Sequence, residues 1–280
     1  MNASDVTARV QERVREWDVV VTTTRETASS FLAFGTRGNQ AVVLKVVRAP
    51  GEEWRVGQIL EAFDGRGAVR VLAHVPGAVL LESLNPGTSL VPLVLEGRDD
   101  EATEIIASVI QHMSRPREAA VSLATVEDWG YGFRRYLAGR DTQVPIPLVE
   151  RAQQTYADLC GSQRQPRLLH GDLQHYNVLF DSARGWIAID PKGVVGEIEY
   201  EVGASLRNPV ERPELFASPR IVERRLEGYE ARLHLDADRA LRWSFSQAVL
   251  STIWSIEDGV AVTPANPALM LAHAIQPLLG

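Results

Sequence analysis

The residues of this 280-residue chain that could do chemistry gather in one short segment, 168-LLHGDLQHYNVLFDSARGWIAIDPKG-193. Leu168 and Leu169 read as the end of a buried strand. Two short apolar runs, 178–180 and 186–189, flank turn-forming residues at 181–185. The second run ends on Asp190-Pro191, where a ladder must stop because proline has no N–H to donate. The pattern predicts a hairpin with Asp172, Asn177 and Asp190 near one end. Three oxygen-bearing side chains converging there suit a hard cation such as Mg²⁺, which takes few protein oxygens and keeps water and phosphate as its other ligands. A loop whose Asp and Asn merely cap turns is the plain alternative for any one of them. The set of four with His170, at these offsets between two apolar runs, favours the chemical reading.

The spacing narrows the chemistry. His170-Gly-Asp172-Leu173 followed by Asn177 fits the catalytic loop of kinases, with Gly in place of Arg, and Asp190, 13 residues beyond Asn177, falls where such enzymes place a metal-binding Asp. The longer form, HGDLxxxNVLxD…GWxAIDPKG, resembles the aminoglycoside phosphotransferase family, and within it the streptomycin and hydroxyurea phosphotransferase branch. The stretches 65-GRGAVRVL-72, 204-ASLRNP-209 and 254-WSIEDG-259 extend the resemblance over most of the chain, from Val19 onward. Gln174 stands where the family more usually has His, and Tyr176 where a smaller or acidic residue is common. Both departures bear on the acceptor rather than on the transfer step.

The resemblance implies an α+β, two-lobed, protein-kinase-like fold. A small antiparallel-sheet N-lobe would bind nucleotide over 1–84, with a hinge at 82–87, and a larger, mainly helical C-lobe over 85–280 would carry catalysis and the acceptor. It implies an ATP- and Mg²⁺-dependent kinase that moves the γ-phosphate to a hydroxyl of a small cationic molecule, a streptomycin-like aminoglycoside, and so confers antibiotic resistance. Hydroxyurea or another hydroxylated metabolite remains open as acceptor. A non-catalytic nucleotide-binding module also remains open, because 24-TRETASS-30, where a glycine-rich phosphate loop would lie, has no glycine.

On this reading Asp172 takes the proton of the incoming hydroxyl, His170 braces the loop, and Asn177 and Asp190 hold the metal. Lys45 sits inside the apolar run AVVLKVV; a buried ammonium needs a carboxylate or phosphate, and V-x-x-K matches the kinase lysine that holds the α- and β-phosphates. Glu53 is expected to pair with it, Glu52 being the alternative. Ser29 and Ser30 are expected nucleotide contacts, and the main chain near Glu82 and Leu84 is expected to meet adenine. Glu257 and Asp258 are expected to bind the cationic acceptor, since acids at a helix C-terminus oppose its dipole; Asp128 is a further candidate. Lys192 would meet either a phosphate or a carboxylate such as Glu197. Lys45 and Lys192 are the only lysines among 29 basic residues, so a compact ammonium is retained at two positions in a chain that otherwise uses arginine.

Composition bounds the rest. Residues 1–90 carry ten acidic and ten basic side chains, and residues 91–280 carry 26 acidic and 19 basic, so the net charge of -7 lies wholly in the second part. That disfavours nucleic acid or an anionic membrane as partner and suits a small cation. One cysteine, Cys160, permits no intrachain disulfide and fits a reducing cytoplasm, as monomer or homodimer. No signal-like or membrane-spanning run is seen, and no GxxxxGK[ST]. A metal-dependent hydrolase built on His170, Asp172 and His175 lacks a third imidazole. Period-two runs predict strands over 19–23, 30–35, 41–47, 69–74 and 78–83, with helices over 5–17 and 52–63. From Leu90 the period changes to 3.6, and helices are expected over 102–113, 126–137, 148–159, 201–206, 221–233, 238–256 and 267–279.

Overall fold

The computed structural model describes residues 3–114 and 123–279, with side chains from Val6 onward and without that of Glu52. Helix α1 (Ala3–Glu16) turns Val6, Val10 and Val14 to one face, which packs on the sheet that follows. Strands β1 (Val20–Glu26), β2 (Ser30–Arg37), β3 (Gln40–Val47), β4 (Val71–Val75) and β5 (Ala78–Glu82) form that sheet, antiparallel throughout, in the order β1-β2-β3-β5-β4. Val42, Leu44 and Val46 of β3 are sealed in the α1-side core with Ala33 and Leu80. The two-residue period then sends Val43 and Lys45 to the other face. There the register sets them beside Phe34 and Leu32 of β2, with Leu81 of β5 opposite Val43.

Two local expectations change here. Strand β1 continues to Glu26, so only 27–29 connect it to β2. The helix expected over 52–63 is a 3-10 turn, Glu52–Arg55, followed by α2 (Val56–Phe63). Trp54 explains the break. Arg9 stacks on its ring at 4.6 Å, and Gly77 N–H donates to its carbonyl at 2.8 Å. Gly77 has φ +79°, and a Cβ there would lie 2.6 Å from the indole, so the turn and the glycine need each other.

Further along come α3 (Val91–Leu95), α4 (Asp99–Met113), α5 (Val126–Trp129), α6 (Tyr131–Ala138) and α7 (Ile146–Gly161). The helix expected over 126–137 breaks at Gly130, where a Cβ would press on the Tyr156 ring at 2.8 Å. Strand β7 (Arg167–Leu169) pairs with β10 (Val194–Gly196). Between them β8 (Val178–Asp181) and β9 (Gly185–Ala188) form the expected hairpin. The 82-ESLNPG-87 stretch, read as a turn, holds a cis Asn85–Pro86 bond and then a strand, β6 (Pro86–Ser89), which joins β8 and β9 in a three-stranded sheet. Asn85 is clamped to the hairpin turn: its N–H donates to Asp181 Oδ2 at 2.9 Å and its carbonyl accepts from Ser182 N–H at 2.7 Å. Proline opens this strand, a position where its missing N–H is tolerated.

The chain closes with α8 (Ile198–Glu201), α9 (Gly203–Leu206), α10 (Glu214–Ala217), α11 (Pro219–Leu233), α12 (Ala237–Glu257) and α13 (Pro267–Ile275). Most of α12 is buried, including Trp243, Phe245, Val249 and Leu250. The chain divides into two compact units: Met1–Thr88 with Leu179–Lys192, and Ser89–Val178 with Gly193–Gly280. The first holds the five-stranded sheet and the hairpin that ends at Asp190; the second holds the helices from α3 onward. No helix of the described residues is long and apolar enough to cross a membrane.

Candidate active site

A cleft of ≈ 540 Å³ opens in the first unit. Leu32, Phe34, Val43, Val56, Leu60 and Val69 give it apolar walls; Ser29, Ser30, Lys45 and Asp190 give it polar groups; Glu82, Ser83 and Leu84 also line it. Apolar walls for a flat base and a cationic group for phosphates are features a nucleotide requires. Lys45 is 7% exposed and makes two ion pairs, to Asp190 Oδ1 at 2.5 Å and to Glu53 Oε2 at 2.9 Å. The choice of Glu53 places the partner in the 3-10 turn, a position fixed by the anchored Trp54. The Glu52 side chain lies outside the described residues.

Glu53 is the hub of this region. Its other oxygen takes Lys192 Nζ at 3.0 Å. Ser29 and Ser30 hydroxyls both donate to Oε2, at 3.2 and 3.3 Å. Burial alone would raise its pKa, but Lys45 and then Lys192 hold it down to about 2. The short β1–β2 connection is pinned by Thr27, whose Oγ1 accepts from Ser30 N–H at 2.9 Å. Beside the cleft, the Glu82 carboxylate accepts from Arg70 N–H at 2.9 Å and from Arg184, so it ties the hairpin to the sheet. The Glu82 carboxylate is thus committed to Arg70 and Arg184. The Asp190 carboxylate is 40% exposed and sits on a residue with φ +59°.

In the second unit, the loop after β7 carries Asp172. Gly171 has φ +81°, and a Cβ there would lie 2.7 Å from the Trp129 ring, so glycine is required on both counts. A buried carboxylate grips this loop from below: Glu201 accepts His170 N–H at 2.6 Å and Gly171 N–H at 3.0 Å. Burial pushes Glu201 up to about 7, against the pull of those two N–H groups. His170 is fully buried, and its Nδ1 accepts Asp172 N–H at 3.3 Å. It braces the loop. Asn177 Nδ2 donates to the Asp172 carbonyl at 2.9 Å, which closes the loop and leaves Oδ1 as the side-chain oxygen for a cation. Asp172 Oδ1 lies 3.5 Å from the Arg207 guanidinium, and Arg207 also reaches Gln247 Oε1 at 3.2 Å. Oxygens of this kind, the Asp190 carboxylate and the Asn177 amide, are the hard donors Mg²⁺ takes.

The acceptor candidates separate. Asp128 is the N3 residue of a capping box, where its carboxylate accepts Thr125 N–H at 2.7 Å and Thr125 Oγ1–H at 2.8 Å. Glu257 and Asp258 end α12 and are exposed; Glu257 pairs with Arg135 at 2.8 Å. One turn earlier on α12, Trp254 meets Trp129 edge-on at 5.5 Å, and Trp129 is the ring that backs Gly171. Packing thus connects 254-WSIEDG-259 to the loop of Asp172.

Sequence reading missed Glu201, Arg207 and Gln247. Arg207 lies inside the quoted 204-ASLRNP-209, and the acids of EIEYE, set in an otherwise apolar stretch, were the available sign of buried charge. It also left Lys192 between a phosphate and Glu197. Lys192 meets Glu53, and Glu197 is taken by Arg239 and Trp243. His175 is sealed, and burial drives its pKa down to about 3. Among the described residues no three His, Cys, Asp or Glu side chains are grouped to hold a metal ion, so the hydrolase set of His170, Asp172 and His175 is not assembled.

A sequence model described as aminoglycoside/hydroxyurea antibiotic resistance kinase matches residues 16–259. The streptomycin 3''-kinase of Klebsiella pneumoniae is 34% identical over 238 residues, covering 83% of this chain and 86% of the relative. The hydroxyurea phosphotransferase of Kitasatospora aureofaciens is 30% identical over 243 residues, covering 81% and 69%. The fold is that of a solved aminoglycoside phosphotransferase, APH(4)-Ia, in a ternary complex with ADP and hygromycin B, with TM-score 0.65, 15% identity and coverage of 96% of this chain and 97% of that one.

Proposed function

The chain belongs to the aminoglycoside/hydroxyurea antibiotic resistance kinase family and is a small-molecule kinase of protein-kinase-like fold, and from that premise we propose that it moves the γ-phosphate of ATP to a hydroxyl of a streptomycin-like aminoglycoside. The observation that carries this reading is Lys45 in a cleft with apolar walls, ion-paired with both Glu53 and Asp190. The first unit acts as the nucleotide lobe, and the second supplies the base and the acceptor seat.

Phosphoryl transfer needs positioning and charge neutralisation more than covalent help from the protein. Lys45, aimed by Glu53, fixes the α/β end of the nucleotide. Asn177 and Asp190 would hold Mg²⁺, which would supply charge neutralisation on the phosphates. Asp172 accepts the hydrogen bond of the acceptor hydroxyl. The acceptor oxygen bonds to the γ-phosphorus, the bond from that phosphorus to the β–γ bridging oxygen breaks, the hydroxyl proton passes to Asp172, and ADP leaves. Glu257 and Asp258 supply negative charge for a guanidinium or ammonium, in keeping with the acid excess of residues 91–280. Hydroxyurea is the second reading of the acceptor, supported by the relative that phosphorylates it.

A screen for ADP release with ATP, Mg²⁺ and a panel of aminoglycosides plus hydroxyurea tests the proposal. Release that depends on streptomycin and stops with EDTA is expected. Release with hydroxyurea alone selects the second reading, and release with neither refutes both.

A further inference from the structure

The two lysines of the chain meet one carboxylate. Lys45 Nζ takes Glu53 Oε2 at 2.9 Å, and Lys192 Nζ takes Oε1 at 3.0 Å. The other 27 basic residues are arginine, and arginine builds the buried ion pairs elsewhere, Asp99–Arg225 and Glu197–Arg239. A planar guanidinium suits a permanent bidentate pair. A compact ammonium on a flexible stem exchanges one oxygen partner for another without re-aiming a fork. Lysine therefore marks the places where partners are exchanged, and both places are in the first unit, on Glu53.

Charge gives the same direction. Lys45, Lys192, Glu53 and Asp190 together are neutral. Without Lys192 the cluster carries one net negative charge, which opposes a nucleotide more strongly with each added phosphate. Lys192 lies two residues beyond Asp190, and its side chain is 31% exposed against 9% for Lys45, so it is the more accessible ammonium of the pair.

We propose that Lys192 is a second nucleotide-binding lysine, which leaves Glu53 to pair with the terminal phosphate of the bound triphosphate while Lys45 keeps the α/β end. The inference rests on the nucleotide reading of the first unit given above. If Lys192 served only to aim Glu53, and through it Lys45, its loss would weaken every nucleotide that Lys45 touches, ADP as much as ATP.

The test is calorimetric titration of the full chain, with Mg²⁺, using AMP, ADP and the β,γ-imido analogue of ATP. In Lys192→Met the analogue is expected to weaken about tenfold or more, the size of one lost charge-assisted contact. AMP and ADP are expected to stay within about threefold. Lys192→Arg, which keeps the charge but not the compact ammonium, is expected to recover only part of the preference for the triphosphate. Equal weakening of ADP and the analogue, or no weakening, overturns the inference. Lys192→Gln replaces the Met variant if that one does not fold; failure of both to fold also overturns it, because a lysine kept for phosphate is not needed by the unliganded fold. Wild-type protein that binds none of the three nucleotides refutes the nucleotide reading itself, a distinct result.

Discussion

In the first unit four charged side chains hold one another: Lys192 and Lys45 share Glu53, and Lys45 also takes Asp190. In the second, Asp172 stands on a loop gripped through its backbone, with Glu201 on the amides of His170 and Gly171 and Asn177 on the Asp172 carbonyl. The first arrangement is held by charges that can change partners. The second is held by hydrogen bonds to backbone N–H and C=O groups. Their electrostatics run in opposite directions: ammonium neighbours hold Glu53 down to about 2, while burial raises Glu201 to about 7. A nucleotide seat must re-pair when ligand arrives, whereas a base must be presented in one geometry.

Four changes probe that contrast, the largest first. Glu53→Ala removes the carboxylate shared by both lysines, and kcat/KM for ATP is expected to fall about a hundredfold, through nucleotide binding. An unchanged nucleotide Kd would contradict the hub. Glu201→Gln turns an amide N–H₂ towards one of two loop N–H donors, so at pH 8 kcat is expected to fall about tenfold while nucleotide Kd holds. A change in Kd alone would erase the distinction between the two regions.

The third change is pH. A group with a raised folded pKa contributes stability that is present below its unfolded value of 4.5 and lost as pH rises towards about 7. Wild type should therefore lose stability relative to Glu201→Gln between those values, by up to about 1.4 kcal/mol per pH unit. Glu53 has the opposite sign: its contribution is present above 4.5 and lost as pH falls towards about 2. Denaturant titrations from pH 2 to 8 check both; parallel curves for wild type and Glu201→Gln would contradict the assignment. The smallest effect belongs to Asp128→Ala, expected to cost about 1 kcal/mol as a lost cap without moving the acceptor KM. A raised KM would return Asp128 to the acceptor seat.

What was legible in the sequence were residues whose type conflicts with their surroundings. Lys45 in an apolar strand, Asp190 before proline and Gly171 beside Asp172 each announce themselves locally, and the five-stranded sheet follows from its period of two. The 3-10 turn at Glu52–Arg55 was not legible, because it depends on Arg9 and Gly77, both distant in sequence from Trp54. Strand β6 was hidden by its own turn-forming residues and exists through Asp181 and Ser182 on the hairpin. The roles of Glu201 and Arg207 were not legible because their partners, a backbone amide pair and an aspartate, lie 30 or more residues away. The capping role of Asp128 was available in Thr125-x-x-Asp128, a capping-box spacing.

The central claim is that Asp172 takes the acceptor proton while the first unit binds nucleotide independently of it. The direct measurement is ADP release and nucleotide titration on Asp172→Ala, side by side with wild type, in the presence of Mg²⁺ and streptomycin. Release is predicted to fall by about 10²–10⁴ with nucleotide affinity within about threefold of wild type. Transfer at the wild-type rate in that variant would contradict the account.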